Sequence, residues 1–132
     1  MSSQTPQAID PEQWHQCPPY LRGIDLFNRG HYWESHVAWE SLWIACGRKG
    51  TVADFLKGLI RLAAAGVKAV EGKPAGVKSH SSRAAELWRS VHRCLPTEDD
   101  SFMGFRVSEL IRLAEQVHQR GWPGQPPLLV PS

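Results

Sequence analysis

At 132 residues and 14.8 kDa the chain has room for one domain and little more. Apolar residues make up 42% and charged residues 21%, a balance that supports a core and excludes wholesale disorder. No apolar run approaches the roughly 18 residues of a membrane span, which excludes an integral membrane protein. Residues 1–16 (MSSQTPQAIDPEQWHQ) lack the basic start and apolar stretch of a secretory signal. Cys17, Cys46 and Cys94 are an odd number at no metal-ligand spacing, so they read as free thiols in a reducing cytoplasm.

The net charge of +2 is unevenly spread. Residues 1–47 hold two basic side chains against five acidic ones, residues 48–93 ten against three, and residues 94–132 three against five. A basic middle between acidic ends marks either an anionic partner or segments that neutralise one another on folding.

Glycine and proline divide the chain into five helical segments. Pro18-Pro19 opens a first helix through Phe27, closed by Asn28-Arg29-Gly30. A second runs from about His31 to Cys46 and stops at Gly47. Thr51 with Asp54 gives a capping-box-like start to a third, Val52 to Glu71, ended by Gly72. Pro74 opens a fourth that reaches Leu95 before Pro96. After a polar loop, Thr97–Ser101, a fifth covers Val107 to Arg120 and ends at Gly121. The tail from Trp122 to Ser132 holds four prolines and must be extended, with Leu128, Leu129 and Val130 packing back on the body. No stretch shows strand periodicity. Short connections make consecutive helices antiparallel. The expectation is a single all-α domain over residues 1–132, a compact antiparallel bundle of about five helices. Residues 1–17 and 122–132 are its peripheral segments.

On the second helix, one arc collects Tyr32, Trp33, His36, Trp39, Glu40 and Trp43, with Val37 and Ile44 just beyond. Burying such rings is worth several kcal/mol each at about 25 cal/mol per Å², so this arc is expected to face the core. His36 and Glu40 lie inside it, one turn apart, where an ionised carboxylate is costly unless paired. Three readings fit. The dyad is a satisfied buried pair that fixes packing; or burial raises the Glu40 pKa and makes it a proton-transfer group. Alternatively, His36 and Glu40 share a metal with His80, which falls on the apolar side of the fourth helix. The pairs Glu12–His15 and Glu115–His118 have di-iron spacing but occur near chance frequency.

The third helix shows a wide apolar face of Phe55, Leu59, Ile60, Ala63, Gly66, Val67 and Val70, with Lys57, Arg61 and Lys68 opposite. The fourth places Val77, Ala84, Leu87, Trp88, Val91 and Leu95 inward and Lys78, Arg89 and Arg93 outward. No nucleic-acid-binding pattern accompanies these basic stripes, so nucleic acid is a disfavoured partner. No phosphate-binding loop, nucleophile elbow or Cys-x-x-Cys occurs, and no cofactor is implied. Gly47–Gly50 reads as a helix connector. Cys46, in a helix's last turn, is poorly placed to be a thiolate.

The run Phe27-Asn28-x-Gly30-x-Tyr32-x-Glu34-x-His36, followed by Glu40, Leu42 and Trp43, resembles the family known as domain of unknown function 309. Phe55-Leu56-Lys57-Gly58-Leu59-Ile60-x-Leu62-Ala63 and Glu71-Gly72-Lys73-Pro74-x-Gly76 match its pattern too, with the family-like core at about residues 20–115. The resemblance implies a small all-α domain without an established activity, cofactor or partner. Val37 stands where members carry an acid, and Arg61 where they carry Gln. The resemblance therefore directs attention to Tyr32, Glu34, His36, Trp39, Glu40 and Trp43 as a binding site. The leading expectation is a non-catalytic binding or interaction domain, with self-association as a homo-oligomer left open. A hydrolase-like or metal-assisted enzyme using His36 and Glu40 is the alternative, and weak nucleic-acid association the third.

Overall fold

The computed structural model describes residues 8–132, and in them the chain turns where glycine and proline punctuate it. A short 3-10 helix, Pro11–Gln16, leads into α1 (Pro18–Asn28), α2 (Tyr32–Ala45), α3 (Thr51–Val70), α4 (Pro74–Arg93) and α5 (Val107–Arg120). Gly30 and Gly72 carry φ of +82° and +70° just past α1 and α3, a left-handed backbone that a side chain disfavours. Thr51 does not cap α3. Gly50, at φ +102°, holds the cap position, and Thr51 is the first helical residue.

Each helix packs on the next, so α2 and α4 lie on either side of α3. The close contacts are made where large rings meet helical glycines. Trp39 of α2 lies over Gly23 of α1, Trp88 of α4 over Gly58 of α3, and Tyr32 of α2 over Gly66 of α3. Both indoles then reach backbone carbonyls. Trp39 Nε1 donates to Tyr20 O at 3.2 Å and Trp88 Nε1 to Phe55 O at 3.1 Å. Ser35 Oγ donates to Gly23 O at 2.8 Å, so even the buried hydroxyl on this face is satisfied. α3 is buried on most of its circumference, the central position of the bundle.

Two departures from the expected elements occur after α4. The supposed loop ends in a hairpin, Ser101–Phe102 (β1) pairing antiparallel with Phe105–Arg106 (β2). Met103 and Gly104 turn it with φ of +51° and +91°, the two positive values of a type I′ turn. Two-residue strands are too short for an alternating pattern, yet Met103 and Phe105 are buried and Phe102 sets its ring edge against Phe55. Asp100, just before it, accepts from Ser108 N at 2.9 Å and so satisfies a donor at the start of α5.

The second departure is the tail. Leu129 is buried, but Leu128 and Val130 point to solvent, as an extended chain requires of alternate residues. Asn28 holds it there. Its amide donates to Leu129 O at 2.8 Å and accepts from Leu129 N at 2.7 Å, as a paired strand residue would. Upstream, Trp122 packs edge-on against Phe27 and Tyr32. At the other end Ile9 is buried and Trp14 packs against the core, while residues 1–7 lie outside the described residues. Val70 of α3, expected in the apolar face, is solvent-exposed in the helix's last position.

Candidate functional site

The exposed stripe of α3 decides where the polar chemistry gathers. Lys57, Arg61, Ala64 and Lys68 recur every three or four residues along the one side of α3 that is not fully buried. With α2 on one flank and α4 on the other, the Ala64–Lys68 part of that stripe floors a groove, and Arg61 adjoins it through its bond to His80. Trp33 and His36 of α2, Ala64, Val67 and Lys68 of α3, Glu71 just beyond it, and His80 of α4 line a volume of about 480 Å³.

The six candidate site residues, drawn from the motif and the aromatic arc, separate into three environments. Tyr32 and Trp39 are core residues, sealed against Phe27 and the glycines of neighbouring helices. Glu34 is exposed in the first turn of α2, where the helix dipole favours an acid. His36, Glu40 and Trp43 face the groove side and are half-buried. The buried His36–Glu40 dyad is thus not what the chain builds. The core face of α2 is Tyr32, Ser35, Ala38, Trp39 and Leu42, and Trp33, Val37 and Ile44 are exposed. The reason is steric. Ser35 and Ala38 let neighbouring helices approach closely, which a bulkier arc would prevent.

His80, the third residue of the metal reading, takes a cationic partner. Arg61 Nη1 lies 3.1 Å from His80 Nδ1. A guanidinium has donors only, so His80 Nδ1 is the acceptor and the ring carries its proton on Nε2. A ring nitrogen pointed at a guanidinium is not offered to a cation. Among the described residues no three His, Cys, Asp or Glu side chains converge as a metal site would require.

The titration behaviour follows from the same crowding of positive groups. Burial pushes the His80 pKa below its ordinary value, and Arg61, Lys68 and His36 push it further in the same direction. Burial also lowers His36; the Glu40 carboxylate opposes this, while Lys57 and Arg61 add to it. Lys57 is lowered by burial and by Arg61, with its ammonium 4.1 Å from the centroid of the Trp43 ring. Both imidazoles are therefore neutral at pH 7 and present a donor and an acceptor each. Two atoms in this cluster, His36 Nδ1 and Arg61 Nε, are buried without a hydrogen-bond partner among the described residues.

The cations are unequally neutralised. Lys68 pairs with Glu71 at 3.3 Å, and Lys73 joins it at 3.6 Å. Among the described residues neither Lys57 nor Arg61 has a carboxylate within 4.0 Å. The basic stripe of α4 does not join this group. Arg89 pairs with Glu115 of α5, and the Lys78 carbonyl oxygen lies 3.1 Å from His118 Nδ1 of the same helix.

Sequence reasoning missed Trp33 as a groove wall, because an apolar ring was expected inside. It stacks on His36 with centroids 5.2 Å apart and planes 15° from parallel, while 62% of the residue stays exposed. It also missed the Arg61–His80 bond. The signal was present in an arginine set between Ile60 and Leu62 in α3 and a histidine on the inward side of α4. A more apolar cleft of about 370 Å³, among Ala69, Val77, Val117 and Trp122, lies beside the end of α3.

No curated protein matches this chain. The family described as domain of unknown function (DUF309) matches residues 20–80, from the first turn of α1 to His80 itself, and so spans all the groove residues. The likeness read from the Phe-Asn-x-Gly and His36–Glu40 motifs holds: over residues 20–80 the chain is similar to the DUF309 family.

Proposed function

We propose that this chain is a binding domain without catalytic chemistry of its own, and that the groove over α3 holds an anionic small molecule. The observation that carries this is the state of Arg61. Its guanidinium is half-buried, bonded to a neutral imidazole nitrogen, and has no carboxylate within ion-pair distance among the described residues. A charge withdrawn from water in this way costs stability unless an opposite charge meets it. Lys57 beside it raises the local positive potential further, and the groove leaves room for the counter-charge. His80 Nε2–H and the neutral His36 ring supply directed hydrogen bonds to an oxyanion. A carboxylate or phosphate oxygen suits this set, and Arg61 is suited to hold it bidentately.

Thermal unfolding at pH 7 with rising inorganic phosphate tests the reading, because a ligand that binds only the folded chain raises its melting temperature. Wild type is expected to rise with phosphate, and Arg61→Gln to lose most of that rise. Arg93→Gln, on the exposed outer side of α4, serves as control and should keep it. A wild-type curve that ignores phosphate, or equal losses in the two variants, would overturn the reading.

A further inference from the structure

The two ends of the groove differ in chemistry. His80 lines one end, with the Arg61 guanidinium bonded to it from beside the groove. Seven residues on, about 10 Å along α3 at 1.5 Å per residue, Lys68 marks the other, its ammonium tied to Glu71. α2 runs antiparallel to α3, and its first turn brings Trp33 into the same lining as Lys68 and Glu71. An anionic group is therefore drawn to the Arg61 end, whose guanidinium has no carboxylate within 4.0 Å among the described residues, more than to the Lys68 end, where Glu71 already neutralises the ammonium. At the Glu71 end stand an aromatic plane, the apolar Val67 and Ala64, and a carboxylate that accepts hydrogen bonds.

Trp33 is unusual for a surface residue. An indole 62% exposed forfeits burial, yet this one is held in place by the His36 imidazole stacked on one of its faces. Its opposite face is left as a fixed plane at the groove wall. A plane ordered before binding loses little entropy when another ring stacks on it, and such stacking tightens binding by about tenfold or more per base. The carboxylate of Glu71 nearby offers an acceptor to hydroxyl groups.

We infer that the groove takes a mononucleotide-sized phosphate ester, its phosphate at Arg61 and His80 and its ring against Trp33. This rests on the anion-binding reading above and adds the class of ligand. A phosphate end and an aromatic end match the cationic end and the indole plane, and the Glu71 carboxylate beside the indole is an acceptor for the hydroxyls between them. No covalent step is involved.

Calorimetric titration of the full chain with 5′-AMP, ribose 5-phosphate, adenosine and inorganic phosphate separates the two levels. The wild type is expected to bind 5′-AMP at least about tenfold more tightly than ribose 5-phosphate, the margin that one stacked ring supplies. Trp33→Leu, at an exposed site that leaves folding intact by circular dichroism, should erase that margin and leave ribose 5-phosphate unchanged. Arg61→Gln should weaken both phosphate esters by about tenfold or more, as loss of a charge-assisted hydrogen bond implies. If 5′-AMP and ribose 5-phosphate bind alike, or Trp33→Leu weakens both equally, the nucleotide inference fails and the anion site stands. If no phosphate-bearing probe binds, if adenosine matches 5′-AMP, or if Arg61→Gln changes nothing, the anion site itself fails.

Discussion

A single methyl group added at Gly58 should cost this fold more than any surface change. Gly58 sits mid-way along α3, where Gly→Ala in an uncrowded helix stabilises by about 0.5–1 kcal/mol. Here the Trp88 indole lies flat against the glycine, and a Cβ would fall well inside contact distance of Nε1, Cε2 and Cδ1. The ring must move, and Trp88 is fully buried, so it has nowhere to go without displacing α4. Overpacking of this kind costs about 1–3 kcal/mol. The shift also breaks the 3.1 Å bond from Trp88 Nε1 to Phe55 O, and a buried unpaired donor costs about 1–3 kcal/mol more. Set against the propensity gain, the net loss is about 2–4 kcal/mol, a fall on the order of 10 °C in melting temperature for a domain of this length. Urea unfolding followed by circular dichroism and tryptophan fluorescence would read it as a lower midpoint with an unchanged slope. A Gly58→Ala variant as stable as wild type, or more so, would refute the packing of α3 against α4 described above.

The remaining predictions concern other parts of the molecule. Asn28→Ala removes both hydrogen bonds to Leu129 and should lower stability by about 1–2 kcal/mol. Amide exchange should quicken at Leu129, and unchanged protection there would mean that the tail is held by packing alone. Glu40→Ala should change stability by no more than about 0.5 kcal/mol, since Glu40 is half-buried on the groove side; a loss above about 2 kcal/mol in urea would restore the buried dyad. Folded-state pKa values of His36 and His80 are lowered, so protonating them costs the folded chain more than the unfolded one. Their contribution is intact above the ordinary imidazole pKa near 6.5 and is lost as pH falls through the lower folded values. Urea midpoints measured from pH 7.5 down to 5 should fall more steeply for wild type than for His80→Gln; parallel profiles would show that His80 titrates as it does when unfolded.

Much of the bundle was legible because its signals are local. Pro18, Pro74, Gly30, Gly47, Gly72 and Gly121 act through their own backbone preferences, and the helices they bound stand within a few residues of expectation. α2 shows where such reasoning stops. Apolar residues run almost all the way round it, so helical periodicity gives no preferred face, and ring size is a poor substitute. The arc chosen by its tryptophans is rotated by roughly a quarter turn from the true one, whose centre is set by small residues, Ser35 and Ala38, meeting Gly23 and its neighbours. That rotation moves His36 and Glu40 from core to groove and Trp33 into solvent. Close packing depends on what faces a helix from another part of the chain, which a face-by-face reading does not contain. The hairpin at Ser101–Arg106 was hidden for a different reason: its strands are too short for any period to show.

The stabilising and destabilising features of α3 fall on opposite sides of one helix. Its inner positions are a run of buried Ala, Leu, Ile and Phe broken by Gly58 and Gly66, each matched to an aromatic ring. Its outer stripe departs from that economy. Lys57 and Arg61 are one turn apart, like-charged, partly desolvated and without a carboxylate within 4.0 Å among the described residues, the acidic influence being that of Glu40 of α2 on Lys57. Like charges at this spacing oppose helix formation, and a helix chosen for stability alone would carry a glutamate at one of them. The two histidines raise the cost of any further positive charge, since each is already held neutral by burial and by these neighbours. Local departures from what stability favours tend to sit where a protein binds something. An anion in the groove would relieve the Lys57–Arg61 repulsion and meet the His80 Nε2–H at once. The same residues that weaken the free chain would then strengthen the bound one, so Arg61→Gln should stabilise the ligand-free protein while weakening its hold on phosphate. Urea unfolding without and with phosphate would show the two effects with opposite sign; the same sign in both would mean that Arg61 serves packing and not a ligand.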